Sequence, residues 1–366
     1  MTPYIFCEPC AGSAAVSYGL LGCKPPISYM GSKSGYLIPI MEALGLSRLS
    51  PPAAFVLGEP GPWAAVHAAL GGATGCSAED VAGWLHVLSL CVAKNGKMSG
   101  YSHVNGEGHD FVSRDGKQQH WTATSPESNG RRLDALPHPA APIIADIIRS
   151  WKDEEPRALW ERLKAKGWPS LLLPEGSEGR WLGPQSVEEV AGWLLGIRWS
   201  FSEKGPEKGY GGPGCEVRTA PGGWTTEGRD KALSIDRFSS LVGSTPPFPP
   251  LAVWQGTAET MPMPSDLSRW VIYVDPPYSN TTGYPHGDLS RAEVLRLALD
   301  WSARGARVAI SEAEPLPLEG WHHVQIDHAR RGQARTFSKQ KHEWLTMNYP
   351  PHHWPGKQEG LFGGGG

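Results

Sequence analysis

Tyr4-Ile5-Phe6-Cys7-Glu8-Pro9-Cys10-Ala11-Gly12-Ser13-Ala14-Ala15-Val16 is the stretch that decides the fold class. The apolar run 4–7 predicts a short strand stopping at Glu8-Pro9, and the small residues of 11–16 predict a tight turn into a helix. A loop, KPPISYMGSKS, comes next, followed by a helical pattern from Tyr36 to Leu44. The run Ala53-Ala54-Phe55-Val56-Leu57 predicts a second strand, closed by Gly58-Glu59-Pro60 and a helix over 63–70. This β-α-β alternation opens an α/β sheet. It returns late in the chain, with a strand at Trp270–Val274 ending at Asp275, an amphipathic helix over 290–303 and a strand at 306–310. Closing strands are predicted at 322–326 and 343–347, so the sheet is built from both ends of the chain.

Between these halves the character changes. Residues 95–250 are rich in Gly, Pro, Trp and charge, with helical spacing over 79–92, 140–151, 155–166 and 186–199 and long loops over 99–139 and 203–229. Glu79-Asp80-Val81-Ala82-Gly83-Trp84-Leu85 is echoed by Glu188-Glu189-Val190-Ala191-Gly192-Trp193-Leu194; two such copies make similar amphipathic helices rather than a solenoid. The 16 tryptophans argue for order in a chain where Gly and Pro number 45 and 34, because rings of that size are packed or used as binding platforms.

At 366 residues the chain is long enough for two structural units, or for one α/β core with a large insertion. No stretch is apolar for the roughly 18 residues a membrane helix requires, and the N-terminus lacks the pattern of a secretory signal. A cytoplasmic protein with no membrane contact is the expectation. The six scattered cysteines suit reduced thiols; Cys7, Cys10 and Cys23 lack the partner ligands of a zinc site, and no metal is expected. A net charge of −3 disfavours indiscriminate nucleic-acid binding over the whole surface but leaves room for a local basic patch.

The sharpest chemical signal is Asp275-Pro276-Pro277-Tyr278, directly after an apolar strand and before Ser279-Asn280-Thr281-Thr282-Gly283-Tyr284. Two prolines fix the backbone and remove competing amide donors, so a carboxylate and a carbonyl can face one exocyclic NH2 group while the tyrosine ring stacks on a planar base. A carboxylate held against an amine stabilises the positive charge that develops as nitrogen attacks a methyl sulfonium. A strand-to-turn acid followed by a rigid loop is the plainer reading of the same residues.

On these residues the chain resembles the Dam-like, adenine-N6 class of amino-group DNA methyltransferases, especially forms associated with phages. Glu8-Pro9-Cys10-Ala11-Gly12-Ser13 resembles the family's E-P-F-x-G-x loop, which implies that these six residues hold S-adenosyl-L-methionine. Tyr29-Met30-Gly31-Ser32-Lys33 resembles its Y-x-G-S/G-K segment, which implies that Tyr29, Gly31 and Lys33 approach the methionine part of the cofactor. Phe55 to Glu59 resembles the strand whose terminal acid binds the cofactor ribose, and Asp275 to Tyr278 is similar to its D-P-P-Y. Ile310-Ser311-Glu312 and Lys341-His342-Glu343-Trp344-Leu345 resemble later segments. In the usual family order the Y-x-G-S-K segment precedes the E-P-F-x-G loop, whereas here it follows; Ala14 replaces a second glycine and Glu59 the commoner Asp. Taken singly, residues 11–15 also suit ordinary close helix packing, Glu59 a solvated turn acid, and Lys33 a solvent-facing charge.

The resemblance implies an α/β, Rossmann-like S-adenosylmethionine-dependent methyltransferase sheet with a large irregular, partly helical insertion. Its catalytic domain would comprise 1–75 and 265–348, its target-recognition insertion 76–264, and its tail 349–366. Asp275 and the Pro276 carbonyl would orient the N6 amine of a flipped adenine, beside Pro277; Tyr278 would stack on it, and Thr282 and Tyr284 would close over it. DNA is the expected partner, with no obligate protein partner. The residues that would hold it are Lys94, Lys97 and Lys204, alongside Arg114, Lys117, Arg131 and Arg132. A tighter cluster joins them: Arg330, Arg331, Arg335, Lys339 and Lys341, free of acids. Solvated charge explains both groups equally simply. Methylation of cytosine N4 or of RNA adenine, and a catalytically silent DNA-binding relative, are the alternatives.

Overall fold

The computed structural model describes residues 4–23, 25, 33–71, 108–112, 118–122, 140–183, 185–199, 235–243, 251–277, 289–326 and 343–352. The first strand, β1 (Ile5–Glu8), turns into helix α1 (Ala15–Leu20); a 3-10 turn at Lys33–Gly35 leads to α2 (Leu37–Leu44), β2 (Ala54–Gly58) and α3 (Trp63–Gly71). The middle of the chain contributes a hairpin of β3 (Gly108–Val112) and β4 (Gln118–Thr122), helices α4 (Ala141–Ser150) and α5 (Pro156–Lys166), the short β5 (Gly179–Trp181), and helices α6 (Val187–Trp199) and α7 (Ile235–Gly243). The last third supplies β6 (Leu251–Gly256), β7 (Trp270–Val274), α8 (Arg291–Ala303), β8 (Arg307–Glu312), β9 (His322–Ile326) and β10 (Glu343–Met347).

Eight strands form one sheet in the order β5-β6-β2-β1-β7-β8-β10-β9. The pairs from β6 to β8 are all parallel, while β10 runs antiparallel to both β8 and β9, and β5 antiparallel to β6. Numbered along the chain, the six strands that point the same way lie in the order 3-2-1-4-5-6, the order of the doubly wound Rossmann sheet. The expected α/β class is found, with a mostly parallel eight-stranded sheet compatible with a Rossmann-like fold.

Side-chain alternation explains the two layers. Phe6, Phe55, Leu57, Val253, Val271 and Tyr273 face a core filled by α1, α2, α3 and the middle helices. Their neighbours Cys7, Val56, Ala252, Ile272, Val274 and Val308 face the opposite side, covered by Val294, Leu297, Ala298 and Trp301 of α8. Both faces are thus buried, which is why these strands read as continuous apolar runs. Helix α8 starts on a capping box: the Ser290 hydroxyl accepts from the Glu293 amide at 3.3 Å, and the Ser290 amide donates to the Glu293 carboxylate at 2.7 Å. None of the described helices is long and apolar enough to cross a membrane.

Two expectations need correction. The boundary placed at residue 264 cuts into the sheet, since β5 and β6 both lie inside the stretch read as an insertion. The segment 99–139 is not wholly loop, because it carries the β3–β4 hairpin. The helix expected over 79–92, and with it the first copy of the echoed segment, lies outside the described residues; the second copy is in α6.

The end of β2 touches the loop that leaves β1: the Ala11 amide donates to the Gly58 carbonyl at 2.8 Å, and a Cβ on Gly58 would stand 2.9 Å from the Pro9 carbonyl oxygen and 3.1 Å from its Cα. Backbone cannot yield there as a flexible side chain would. Gly58→Ala is expected to cost about 1–3 kcal/mol, read as a lower denaturant midpoint with an unchanged m-value. A midpoint identical to the wild type would contradict this close contact.

Candidate active site at the switch point of the sheet

Between β1 and β7 the strand order reverses, and the connections leave the two strands toward opposite faces of the sheet. A crevice opens at their carboxyl ends, the place where open α/β sheets hold ligands. Glu8 ends β1 and Asp275 follows β7 there.

Glu8 is buried, and both the Ser17 amide, at 2.9 Å, and the Ser17 hydroxyl donate to its Oε2. Burial pushes its carboxyl up to about 7 against these bonds, and the nearby Asp275 adds to the rise. The chain then reverses through two left-handed residues, Gly12 (φ 48°) and Ala14 (φ 50°), before α1 begins. Glycine meets that geometry freely, whereas Ala14 accepts a steric cost of about 1–2 kcal/mol.

Three contacts hold this loop. Besides the bond from Ala11 to Gly58, the Gly12 amide donates to Glu59 Oε2 at 3.0 Å and the Gly12 carbonyl lies 2.7 Å from His67 Nε2. A carbonyl only accepts, so His67 carries its proton on Nε2. Burial lowers this imidazole to about 4, keeping it neutral between Trp63, stacked at 5.7 Å, and Tyr18 at 6.0 Å. The other carboxyl oxygen of Glu59 accepts from the Gly61 amide at 3.0 Å. Burial raises the Glu59 carboxyl and the two amide bonds oppose the rise. Glu59 is therefore a staple between the ends of β1 and β2, and no solvated turn acid.

On the β7 side, the Lys33 ammonium lies 2.8 Å from Asp275 Oδ1 and 3.6 Å from Glu343 Oε1. Side-chain exposure is 8% for Lys33 and 7% for Glu343, but 23% for Asp275, so the aspartate is the member of the trio open to the crevice. Desolvation works to lower the lysine, but Asp275 and Glu343 outweigh it and its pKa is raised. Asp275 is pushed up to about 6 by burial; Lys33 opposes that shift, and Glu343 and Glu312 add to it. Pro276 behind it is buried and Pro277 half-buried.

Glu8, Pro9, Cys10, Ala11, Gly12, Ser13, Lys33, Glu59, Asp275, Pro276 and Pro277 thus come together at one edge of the sheet. The reading of Lys33 as a solvent-facing charge is corrected, because it is buried between two carboxylates. Tyr29, Gly31, Tyr278, Thr282, Tyr284, Lys94, Lys97, Lys204, Arg330, Arg331, Arg335 and Lys339 lie outside the described residues, as do Arg114, Lys117, Arg131, Arg132 and Lys341. Sequence reasoning gave no role to Ser17, His67, Ser311 or Glu343. Of these, Ser311 and Glu343 stand in segments that resemble later ones of the family, His67 is the one polar residue in an otherwise apolar helix, and Ser17 leaves no local trace.

Cys7 is buried in β1, and among the described residues no group of three or more His, Cys, Asp or Glu side chains is arranged to hold a metal ion. No protein-family model matches the chain, and no curated protein matches it.

The raised carboxyl of Glu8 has a stability consequence. Between the ordinary glutamate range and about 7, the folded protein keeps a proton that the unfolded chain releases, so stability falls as pH rises through that window. Glu8→Gln still accepts from Ser17 but cannot ionise. It is expected to gain of order 1–3 kcal/mol on the wild type between pH 5 and pH 8, in urea melts at both values. Parallel pH dependence in the two proteins would show that Glu8 is charged throughout.

Proposed function

We propose that the protein is an S-adenosylmethionine-dependent DNA methyltransferase that acts on the N6 amine of adenine. The observation that carries this reading is the placement of Asp275-Pro276-Pro277 at the carboxyl end of β7, beside the β1–β7 switch point, with Lys33 at 2.8 Å.

The donor set suits the cofactor. Glu8, Glu59 and Asp275 give the crevice more negative than positive charge among its described residues, and burial, which raises all three carboxyls, disfavours that charge. A ligand bearing a sulfonium and an ammonium offsets it. The left-handed turn at Gly12 and Ala14 allows close approach to backbone, and Glu59, with both oxygens already aligned by amides, retains lone pairs for ribose hydroxyls. S-adenosylmethionine, when bound, supplies an electrophilic methyl group.

The remaining chemistry belongs to the chain. Asp275, ionised above its pKa of about 6 and held by Lys33 through Oδ1, presents its second oxygen to an N–H of the substrate amine. Pro276 and Pro277 set the direction of the chain there, leaving the Pro276 carbonyl to accept the second N–H. Tyr278 follows in sequence and supplies a stacking face. An adenine reaches this edge only when it is turned out of the duplex, and the basic residues of 330–341 and of the middle segment are the groups that hold phosphates meanwhile.

The test is product analysis. Incubation with methyl-labelled S-adenosylmethionine and unmethylated DNA, followed by digestion to nucleosides, is expected to place label in N6-methyladenine. Asp275→Ala is expected to lower the rate by about 10²–10³-fold or more while cofactor affinity changes only a few-fold. Label in N4-methylcytosine or in RNA adenine would redirect the substrate assignment. Loss of rate and cofactor binding together would make Asp275 structural.

A further inference from the structure

A buried Asp–Lys pair poses a problem for the chemistry just described. An ammonium at 2.8 Å neutralises Asp275, and a neutral pair offers little to an amine that turns cationic in the transition state. The third member of the trio removes the difficulty. Because β10 runs antiparallel to β8, its first residue, Glu343, arrives at the same edge of the sheet as the last residues of β7 and β8. The Ser311 hydroxyl on β8 donates to the Glu343 carboxylate and fixes it within 3.6 Å of Lys33.

We propose that Glu343 is a positioning residue for Asp275, acting through Lys33: it shares the ammonium, so that the Asp275–Lys33–Glu343 trio carries a net negative charge facing the substrate amine. This rests on the methyl-transfer reading. In that reaction the amine nitrogen gains the methyl carbon while the carbon–sulfur bond breaks, the electron pair staying on sulfur. The nitrogen then loses one N–H proton to Asp275 and on to water. Charge is needed at Asp275 throughout, while Lys33 is needed to keep it ionised. Two acceptors for one ammonium satisfy both demands.

Among the described residues, the groups that act electrostatically on Asp275 are Lys33 from the 3-10 turn, Glu343 from β10, Glu312 from β8, Glu8 from β1, Tyr273 from β7 and Cys10 from the loop. Lys33 is the one cation in that set. Removing the Glu343 charge leaves Asp275 with one like charge fewer, so its midpoint falls, whereas removing Lys33 raises it.

The experiment is a carbon NMR titration of the intact, unliganded protein labelled only at aspartate, which leaves Glu8 silent; the Asp275 signal is assigned by its loss in Asp275→Asn. Glu343→Gln is expected to lower the Asp275 midpoint, to reduce kcat for methyl transfer by about 10–100-fold and to leave the KM for S-adenosylmethionine within about twofold. Glu343→Asp, which keeps the charge, is expected to retain most of the rate. If Glu343→Gln does not fold, the double variant Lys33→Met/Glu343→Gln is compared with Lys33→Met, and the lower Asp275 midpoint is expected in the double variant. An Asp275 midpoint that does not move when the Glu343 charge is removed, in an enzyme that transfers methyl groups, overturns this inference alone. A midpoint that moves in a protein with no methyl transfer in the wild type overturns the reaction assignment, and with it the purpose given to the trio.

Discussion

Strands from opposite ends of the chain lie hydrogen-bonded side by side at the centre of the sheet, Ile5 against Trp270 and Cys7 against Ile272. Everything at the candidate site follows from that pairing. Helices α1 and α2, between β1 and β2, pack on one face, and α8, between β7 and β8, packs on the other. The two sets of connections diverge at the carboxyl ends of β1 and β7, where Glu8 and Asp275 stand. Each group there has its own partners: Glu8 the Ser17 amide and hydroxyl at the start of α1, the Gly12 backbone the Glu59 and His67 side chains, and Lys33 the carboxylates it faces.

The electrostatics of this edge run against what packing alone would select. Asp275 and Glu343 flank Lys33, Glu8 stands near Asp275, and burial pushes Glu8 up to about 7 and Asp275 up to about 6. A core optimised for stability would hold fewer charges, since desolvating each one costs more than a single counter-charge returns. Ala14 in a left-handed conformation adds a backbone cost in the same place. Buried carboxyls with raised pKa values and a left-handed non-glycine residue thus meet at the ends of β1 and β7, which is the kind of cost that marks a candidate site.

The sheet was legible wherever its strands were apolar on both faces and bounded by turn residues, as at 54–58 and 270–274. Strand β6 escaped because it follows a proline-rich run inside an irregular stretch, and because its buried Gln255 is satisfied only by tertiary partners. Its side-chain amide donates to the Leu171 carbonyl at 2.7 Å, and its oxygen accepts from Arg180 at 3.0 Å. Asp275 was legible through the residues around it. The burial of Lys33 was not, because nothing local distinguishes a lysine that meets two distant carboxylates from one in solvent. Glu343 was legible only as part of a resembling segment; its contact with Lys33 depends on an antiparallel strand threaded between two others, and no periodicity within residues 343–347 carries that information. Glu59 was legible as an acid at a strand end, but its two amide bonds to Gly12 and Gly61 belong to the folded loop.

The proposed methyl transfer requires the crevice between the ends of β1 and β7 to hold a cationic nucleoside cofactor. Calorimetric titration of the folded wild-type protein with S-adenosylmethionine tests it most directly. Saturable binding at one site per chain is expected, abolished or greatly weakened when the Gly12 turn is blocked by Gly12→Val. Absence of binding to the wild type, or binding indifferent to that substitution, would contradict it.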